Sequence, residues 1–139
     1  MIYETRFRVR YAETDQMGVV YYANYFVWME IGRAEYCRAA GVQYKDMESV
    51  DGIRLAVVEA ECRYLHPARY DEEIAVGTTI AKANQRMVVF EYSIRNAATM
   101  ATVATGATKH IFLDAEMKPV KLPQKYFEFF GISSYRPRT

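Results

Sequence analysis

One apolar helical segment followed by a series of strand-like stretches is the feature that most limits the possible folds of this 139-residue chain. Asn24 is a suitable N-cap for a helix that runs to about Ala40, and Gly41 stands in the usual C-terminal stop position. The first two turns are apolar on most sides, through Tyr25, Phe26, Val27, Trp28, Met29 and Ile31. We therefore expect this helix to be buried more deeply than a surface helix with one apolar stripe.

Five stretches alternate apolar and polar residues in the way that is typical of β-strands. In the first, residues 2–11, Phe7 and Val9 fall on one face while Arg8 and Arg10 fall on the other. The remaining four strands are predicted at residues 53–65, 73–83, 87–95 and 101–113.

This order of elements predicts an α+β fold in which an antiparallel sheet packs on the helix. Residues 42–52 are predicted to be a polar loop, residues 114–119 a turn, and residues 124–130 a short amphipathic segment. We expect one domain, residues 1–132, and a frayed tail, residues 133–139. The long edge strands of such a sheet need covering, and a homodimer is a common solution.

The composition disfavours several classes of protein. The net charge is +1, whereas nucleic-acid-binding domains are normally strongly basic. Two cysteines are too few for a disulfide framework, and no stretch approaches the roughly 18 apolar residues that a membrane span requires. The first residues contain no apolar core of signal-peptide length, so we expect a soluble cytoplasmic protein.

The segment that leads into the helix is the best candidate for a reactive site. Asp15 lies in a short turn that contains Gly18, just before the predicted helix start at Asn24. The first N–H groups of a helix are unpaired and carry partial positive charge, so an oxyanion can be held there within reach of the acid. This arrangement suits attack on a carbonyl, although Asp15 can also be a simple turn former.

Other kinds of catalytic centre are not supported by the sequence. The serine-hydrolase motif G-x-S-x-G, the P-loop and the dinucleotide motif G-x-G-x-x-G are all absent from the chain. Cys62 and His66 have loose metal-ligand spacing, but two cysteines and two histidines do not make a convincing closed site. We therefore predict no metal.

Residues 15–33, DQMGVVYYANYFVWMEIGR, resemble the active-site motif of hotdog-fold thioesterases of the 4-hydroxybenzoyl-CoA thioesterase branch, which includes the YbgC-type acyl-CoA thioesterases. The motif is an Asp, two residues, a Gly, a short apolar-aromatic run, Asn-Tyr, and then Glu and Arg on the helix. It is met by Asp15, Gly18, Val19, Val20, Tyr21, Asn24, Tyr25, Glu30 and Arg33. The segments RYLHPARYDE at 63–72 and PVKLP at 119–123 agree, so the resemblance covers nearly the whole chain.

The resemblance implies a hotdog fold, in which a five-stranded antiparallel sheet wraps around one long central helix. It implies hydrolysis of an acyl-CoA or aroyl-CoA to the free acid and CoA. No cofactor is expected, because coenzyme A is part of the substrate, and the implied assembly is a homodimer or homotetramer.

The resemblance also implies roles for individual residues. Asp15 would act as nucleophile or general base, and the backbone N–H at Tyr22 would hold the thioester oxygen. Histidine is frequent at this position in YbgC-type enzymes, whereas hydroxybenzoyl-type enzymes can carry tyrosine. Gly18 would allow a tight turn or a close approach to substrate. Glu30 would orient water or a neighbouring side chain, or else pair with Arg33 at helical spacing.

Substrate contacts are expected from aromatic and basic residues. Tyr25 would line an acyl pocket or fill the core, and His66 would contact pantetheine or the subunit interface, or lie on the surface. The CoA phosphates need cations, although each candidate can equally be a solvated charge. The candidates are Arg69, Arg86, Lys109, Arg136 and Arg138.

Two other functions are compatible with the same fold. One is an enzyme that acts on acyl carrier protein, as a thioesterase or a dehydratase; the dehydratase is disfavoured because no histidine is positioned to pair with the acid. The other is a non-catalytic acyl-CoA-binding protein, against which the intact Asp15 and Gly18 argue.

Overall fold

The computed structural model describes residues 1–41 and 44–132. The described residues contain five strands: β1 Ile2–Arg8, β2 Arg54–Tyr64, β3 Glu73–Ala83, β4 Met87–Asn96 and β5 Thr102–Leu113. They also contain two α-helices, α1 Asn24–Ala39 and α2 Tyr44–Asp51, and three 3₁₀ turns, Tyr11–Glu13, Gln124–Tyr126 and Glu128–Phe130. The strands form one antiparallel sheet in the order β1-β3-β4-β5-β2, so β1 and β2 are its edges.

The predicted strands and helix are confirmed, and most of their ends agree within one residue. The first strand is the exception: it ends at Arg8 rather than at residue 11, because the chain turns into the 3₁₀ helix Tyr11–Glu13. The predicted amphipathic segment 124–130 forms two 3₁₀ turns. The predicted tail 133–139, which contains Arg136 and Arg138, lies outside the described residues.

The prediction of a loop over residues 42–52 is wrong where the chain is described, because Tyr44–Asp51 forms α2. Met47 is fully buried, and it anchors a helix whose other described side chains are mostly exposed. Lys125 donates to Asp51 Oδ1 at 2.8 Å, and Tyr126 donates to the other oxygen. Tertiary contacts of this kind stabilise a short polar helix that has little apolar periodicity to reveal it. Residues 42 and 43 lie outside the described residues.

Two glycines allow α1 to lie close against the sheet. A Cβ at Gly32 would stand 2.5 Å from Thr78 Oγ1 and 2.8 Å from Val76 Cγ1. A Cβ at Gly106, on β5, would stand 2.7 Å from the Glu61 carbonyl oxygen and would also collide with Met29. Side chains at either position would push the helix and sheet apart, since interiors are close-packed.

A row of polar groups is buried between α1 and the sheet. Tyr92 and His110 each hydrogen-bond to the hydroxyl of Thr108, at 2.7 and 2.8 Å, and Arg33 donates to the Tyr92 hydroxyl at 3.3 Å. Burial lowers the pKa of His110 to about 4, so its imidazole is neutral at pH 7. The row joins α1 to β4 and β5 through the middle of the core.

Candidate active site

Asp15 opens a tight turn between two short paired segments of the loop before α1. Thr14 and Val20 form an isolated antiparallel bridge, and the Asp15 N–H donates to the Val19 carbonyl at 2.8 Å. The Gly18 N–H donates to the Asp15 carbonyl at 3.0 Å, and the Met17 N–H donates to Asp15 Oδ1 at 2.8 Å. The second carboxylate oxygen, Oδ2, accepts no hydrogen bond from a described residue. One oxygen therefore holds the turn while the other is available for chemistry.

Gly18 is required for its backbone conformation rather than for space. Its φ is +80°, in the left-handed region, and a Cβ there would meet no atom within 4 Å. Of the two predicted reasons for this glycine, the tight turn is the one that the geometry favours.

A second aspartate makes the same turn elsewhere in the chain. The Asp114 N–H donates to the Lys118 carbonyl at 2.8 Å, and the Met117 N–H donates to the Asp114 carbonyl at 3.0 Å. The Glu116 N–H donates to Asp114 Oδ1 at 2.8 Å, as the Met17 N–H does to Asp15. Turn geometry alone therefore does not distinguish Asp15 from Asp114. The difference between them is the structure next to each turn.

The start of α1 lies beside the Asp15 turn. Three N–H groups at the helix start are paired, since Asn24, Tyr25 and Phe26 donate to carbonyls three residues earlier. The N–H groups of Tyr22 and Ala23 have no acceptor within the described part of the chain. Tyr22 and Asp15 line one cleft, so a residue with a free N–H and a residue with a carboxylate border the same space.

The prediction that Asn24 caps the helix is wrong. The N-cap position is Ala23, which has helical dihedral angles and makes no side-chain cap bond. The Asn24 side chain instead donates to the Glu13 carbonyl at 2.8 Å, and the Tyr21 N–H donates to the same oxygen at 2.9 Å. The asparagine thus ties the helix start to the strand-like segment that precedes Asp15.

Glu13 is a site residue that the sequence reasoning missed. Its side chain is buried, and its carboxylate accepts hydrogen bonds from the Trp28 indole at 2.9 Å and from the Arg10 N–H at 2.8 Å. The Arg10 guanidinium lies 3.6 Å away and supplies positive charge. Glutamates are rarely buried unless paired, and nothing in the sequence marked this one as buried.

The cleft beside Asp15 has a volume of about 350 Å³ and is mainly apolar and aromatic. One wall comes from the Asp15 turn and the start of α1, and the other from the end of β2 and the residues after it. It is lined by Asp15, Met17, Val19, Val20, Tyr22, Tyr25, Tyr64, Leu65, His66 and Pro67.

Tyr64, the last residue of β2, is the second site residue that the sequence reasoning missed. Its hydroxyl donates to the Tyr22 carbonyl at 3.1 Å, and its ring meets the Tyr25 ring edge-on at 5.1 Å between centroids. Burial, followed by a hydrogen bond with Cys62, raises the pKa of Tyr64 to about 12, so its phenol stays protonated near neutral pH. The sequence carried a faint signal, since Tyr64 lies inside the matching segment 63–72.

The structure brings together only some of the predicted site residues. Asp15, Tyr22, Tyr25 and His66 line the cleft, and Gly18 completes the turn at its edge. Tyr25 is buried, and burial raises its pKa, so it belongs to both the core and the cleft wall. His66 is exposed.

The remaining candidates lie outside the cleft lining. Glu30 is exposed on α1, and Arg69 is exposed three residues beyond His66. Arg86 lies in the β3–β4 turn, next to the end of β4 that is remote from the cleft. Lys109 lies 3.6 Å from Glu59 across the β2–β5 pair. These basic residues are therefore separated from one another in the fold. Residues that bind a ligand's phosphates follow no periodic pattern, so the sequence alone could not predict which of them lie together.

A second hollow, of about 580 Å³, lies over the sheet and does not include Asp15. Its lining combines small residues with charges such as Glu61, Glu91 and Arg95. The smaller cleft is the better candidate for chemistry, because it is lined both by Asp15 and by Tyr22, whose N–H has no acceptor among the described residues. Within the described residues, no group of three His, Cys, Asp or Glu side chains is arranged to hold a metal. None of the described helices has the length and apolar character needed to cross a membrane.

Comparison with known proteins identifies the family. The profile described as the thioesterase-like superfamily matches residues 9–130. A Bacillus subtilis protein named "Putative acyl-CoA thioesterase YneP" is 40% identical over 119 residues, 85% of each chain. The acyl-CoA thioesterase YbgC of Haemophilus influenzae is 28% identical over 118 residues, 85% of this chain and 86% of the other.

Solved structures agree with the sequence relatives. The DHNA-CoA thioesterase from Staphylococcus aureus superposes with a TM-score of 0.89 and 32% identity, over 94% of this chain and 89% of that one. The resemblance inferred from residues 15–33 is thereby confirmed, as is the five-stranded hotdog sheet. This chain belongs to the thioesterase-like superfamily and is a thioester hydrolase of the hotdog fold.

Proposed function

We propose that the substrate is an acyl-CoA or aroyl-CoA and that the cleft beside Asp15 is where its thioester is hydrolysed. The observation that carries the proposal is the shared cleft, which Asp15 and Tyr22 line together beside the start of α1, where the Tyr22 and Ala23 N–H groups have no acceptor among the described residues. The relatives named for acyl-CoA and DHNA-CoA hydrolysis support the substrate class.

The reaction needs one base or nucleophile and one oxyanion site. As general base, Asp15 takes a proton from water while the water oxygen bonds to the thioester carbon; the tetrahedral intermediate then collapses, the C–S bond breaks and CoA leaves as thiolate, which regains a proton to give the thiol. As nucleophile, Asp15 attacks that carbon itself, CoA leaves as thiolate, and water then cleaves the mixed anhydride. In both routes the carbonyl oxygen gains negative charge, which the Tyr22 and Ala23 N–H groups stabilise. A metal or redox cofactor has no part in either route.

The decisive experiment replaces Asp15 with Asn and measures release of the CoA thiol from a panel of aromatic, short-chain and long-chain CoA thioesters. We expect kcat to fall by roughly a thousandfold or more, because the amide is neither a base nor a nucleophile. Binding of the CoA ester, measured by calorimetry, should change by only a few fold. Undiminished hydrolysis by the variant would refute the role of Asp15.

Asp114→Asn is the matched control, because Asp114 makes the same turn outside the cleft with the corresponding hydrogen bonds and one more, from the Lys118 N–H to Oδ1 at 3.0 Å. It should keep wild-type turnover. Acyl carrier protein thioesters in the same panel test the other carrier, since two Arabidopsis relatives are named acyl-acyl carrier protein thioesterases. Faster turnover of those substrates than of the CoA thioesters would show that acyl carrier protein, and not CoA, is the preferred carrier.

The proposed assembly is a homo-oligomer in which a second copy covers β2. This edge strand is 11 residues long, and Val57 and Val58 are 53% and 47% exposed. Long exposed edges of this kind invite pairing with another chain. The cleft borders the end of β2, so a partner on this edge would also help to enclose the substrate. A cytoplasmic location is part of the proposal, since two cysteines are too few for the disulfide framework typical of secreted domains.

A further inference from the structure

We propose that Tyr64 is a positioning residue for the oxyanion site, acting through the peptide group that joins Tyr22 to Ala23. This inference rests on the proposed function and assigns a role to a side chain at the far wall of the cleft. Its basis is the hydrogen bond from the Tyr64 hydroxyl to the Tyr22 carbonyl, at 3.1 Å.

The hydrogen bond reaches the oxyanion donors through a single rigid unit. The Tyr22 carbonyl and the Ala23 N–H belong to one planar peptide, so an interaction that orients the oxygen also orients the N–H on the opposite side. The hydrogen bond from Tyr64 also withdraws electron density from the Tyr22 carbonyl oxygen. This polarises the Ala23 N–H of the same peptide, because hydrogen bonds linked through peptide groups strengthen one another. The Ala23 N–H has no acceptor among the described residues, and it is therefore free to use this polarisation on a ligand.

The position of Tyr64 is determined by the sheet rather than by the loop that it contacts. Tyr64 pairs with Ala104 in the β2–β5 ladder, and the next two N–H groups, of Leu65 and His66, both donate to the Val103 carbonyl, at 2.9 and 3.1 Å. Its ring is also held between aromatic neighbours, edge-on to Tyr25 and to Tyr22. A rigid strand end therefore holds the phenol against the start of α1.

The donor role of the phenol is consistent with its protonation. The Tyr22 carbonyl can only accept hydrogen bonds, and it also accepts one from the Tyr25 N–H at 3.3 Å. A deprotonated Tyr64 would place a negative oxygen against this carbonyl oxygen with no proton between them. A tyrosine that keeps its proton across the working pH range avoids this repulsion. Precise support of this sort matters because a small displacement of a catalytic donor can cost much of its effect.

The test is Tyr64→Phe, which removes the hydroxyl and keeps the ring. We expect kcat toward CoA thioesters to fall about tenfold, while KM and the melting temperature stay close to wild type, because the lost interaction serves the charged transition state. The Ala23 amide proton should also move upfield in a ¹H–¹⁵N spectrum of the free protein, because the Tyr22 carbonyl of the same peptide loses the hydrogen bond from Tyr64. Tyr70→Phe is the control, since Tyr70 is exposed, meets another tyrosine edge-on, and makes no hydroxyl hydrogen bond to a described residue.

The two measurements separate this inference from the proposed function. A wild-type protein that hydrolyses no CoA thioester would overturn both, whereas an active wild type with an unchanged Tyr64→Phe variant would overturn the Tyr64 role alone. An increase in KM without a change in kcat would also overturn it, because Tyr64 would then be a substrate contact. An Ala23 amide shift together with a selective loss of kcat supports it.

Discussion

The carboxylate of Glu13 shows how much of the candidate site depends on a residue that takes no part in the proposed chemistry. The carboxylate accepts hydrogen bonds from the Trp28 indole N–H and the Arg10 backbone N–H. The Glu13 backbone carbonyl accepts hydrogen bonds from the Tyr21 N–H and the Asn24 side-chain amide. The segment just before Asp15 is thereby joined to α1 at several points. These hydrogen bonds therefore set the position of Asp15 relative to the start of α1.

At this scale we predict that Glu13→Gln destabilises the protein and slows catalysis. The amide can accept one of the two hydrogen bonds, but its NH₂ then faces a donor, which leaves a buried group unsatisfied at a cost of roughly 1–3 kcal/mol. Chemical denaturation should show this loss, and kcat should fall because the Asp15 turn shifts against the helix. Glu116→Gln, at an exposed position, is the control. Equal stability of the two variants would mean that Glu13 does not hold the loop.

At the scale of elements, the contact between α1 and the sheet depends on the absence of a side chain at Gly32. Helix propensity alone would favour alanine there by roughly 1 kcal/mol. The short distances from a Cβ to Thr78 and Val76, however, involve fully buried side chains that have little room to move. Packing and propensity therefore predict opposite signs for the same substitution.

We predict that Gly32→Ala lowers the free energy of unfolding by about 1–3 kcal/mol, as overpacking of a core does. Ala34→Gly, in the same helix, is the matched comparison, because it changes propensity in the opposite direction without a clash and should cost about 1 kcal/mol. Denaturant unfolding of both variants measures the two effects. A Gly32→Ala variant more stable than wild type would show that the helix can move away from the sheet at no cost.

At the scale of the whole molecule, the sheet is protected at neither edge by the described part of the chain. The β1 edge carries alternating charges, Glu4, Arg6 and Arg8, which oppose pairing with another strand. The β2 edge also carries exposed charges, Glu59, Glu61 and Arg63, but unlike β1 it exposes adjacent valines where the β2–β5 register shifts. The difference between the edges makes β2 the one on which we expect a second copy to pair.

We predict that Val58→Arg converts the proposed oligomer to smaller species and lowers activity, because like charges would meet across the proposed paired edge and the cleft would lose its cover. Sedimentation velocity gives the mass, and the CoA-thioester assay gives the activity. Val50→Arg is the control, because Val50 is an exposed valine on α2. A wild-type monomer, or a Val58→Arg variant of unchanged mass, would contradict this edge as the interface.

The sequence by itself predicted the five strands and α1, and it singled out Asp15 as the candidate acid. Alternation of period two and one long apolar helix are local patterns, and each is readable from neighbouring residues. Asp15, Gly18 and Asn24 could be recognised because their spacing along the chain forms the motif, even though Asn24 proved to be a tie to Glu13 and not a cap.

Only the tertiary structure decided which residues support that acid. Glu13 became a buried anchor because Trp28, 15 residues later, folds back over it, and Tyr64 reaches Tyr22 across 42 residues. The helix α2 likewise depends on Met47 and on a contact with residues more than 70 positions away. Hydrogen bonds and packing between distant segments leave no period in the sequence, so burial and support become visible only once the chain is folded.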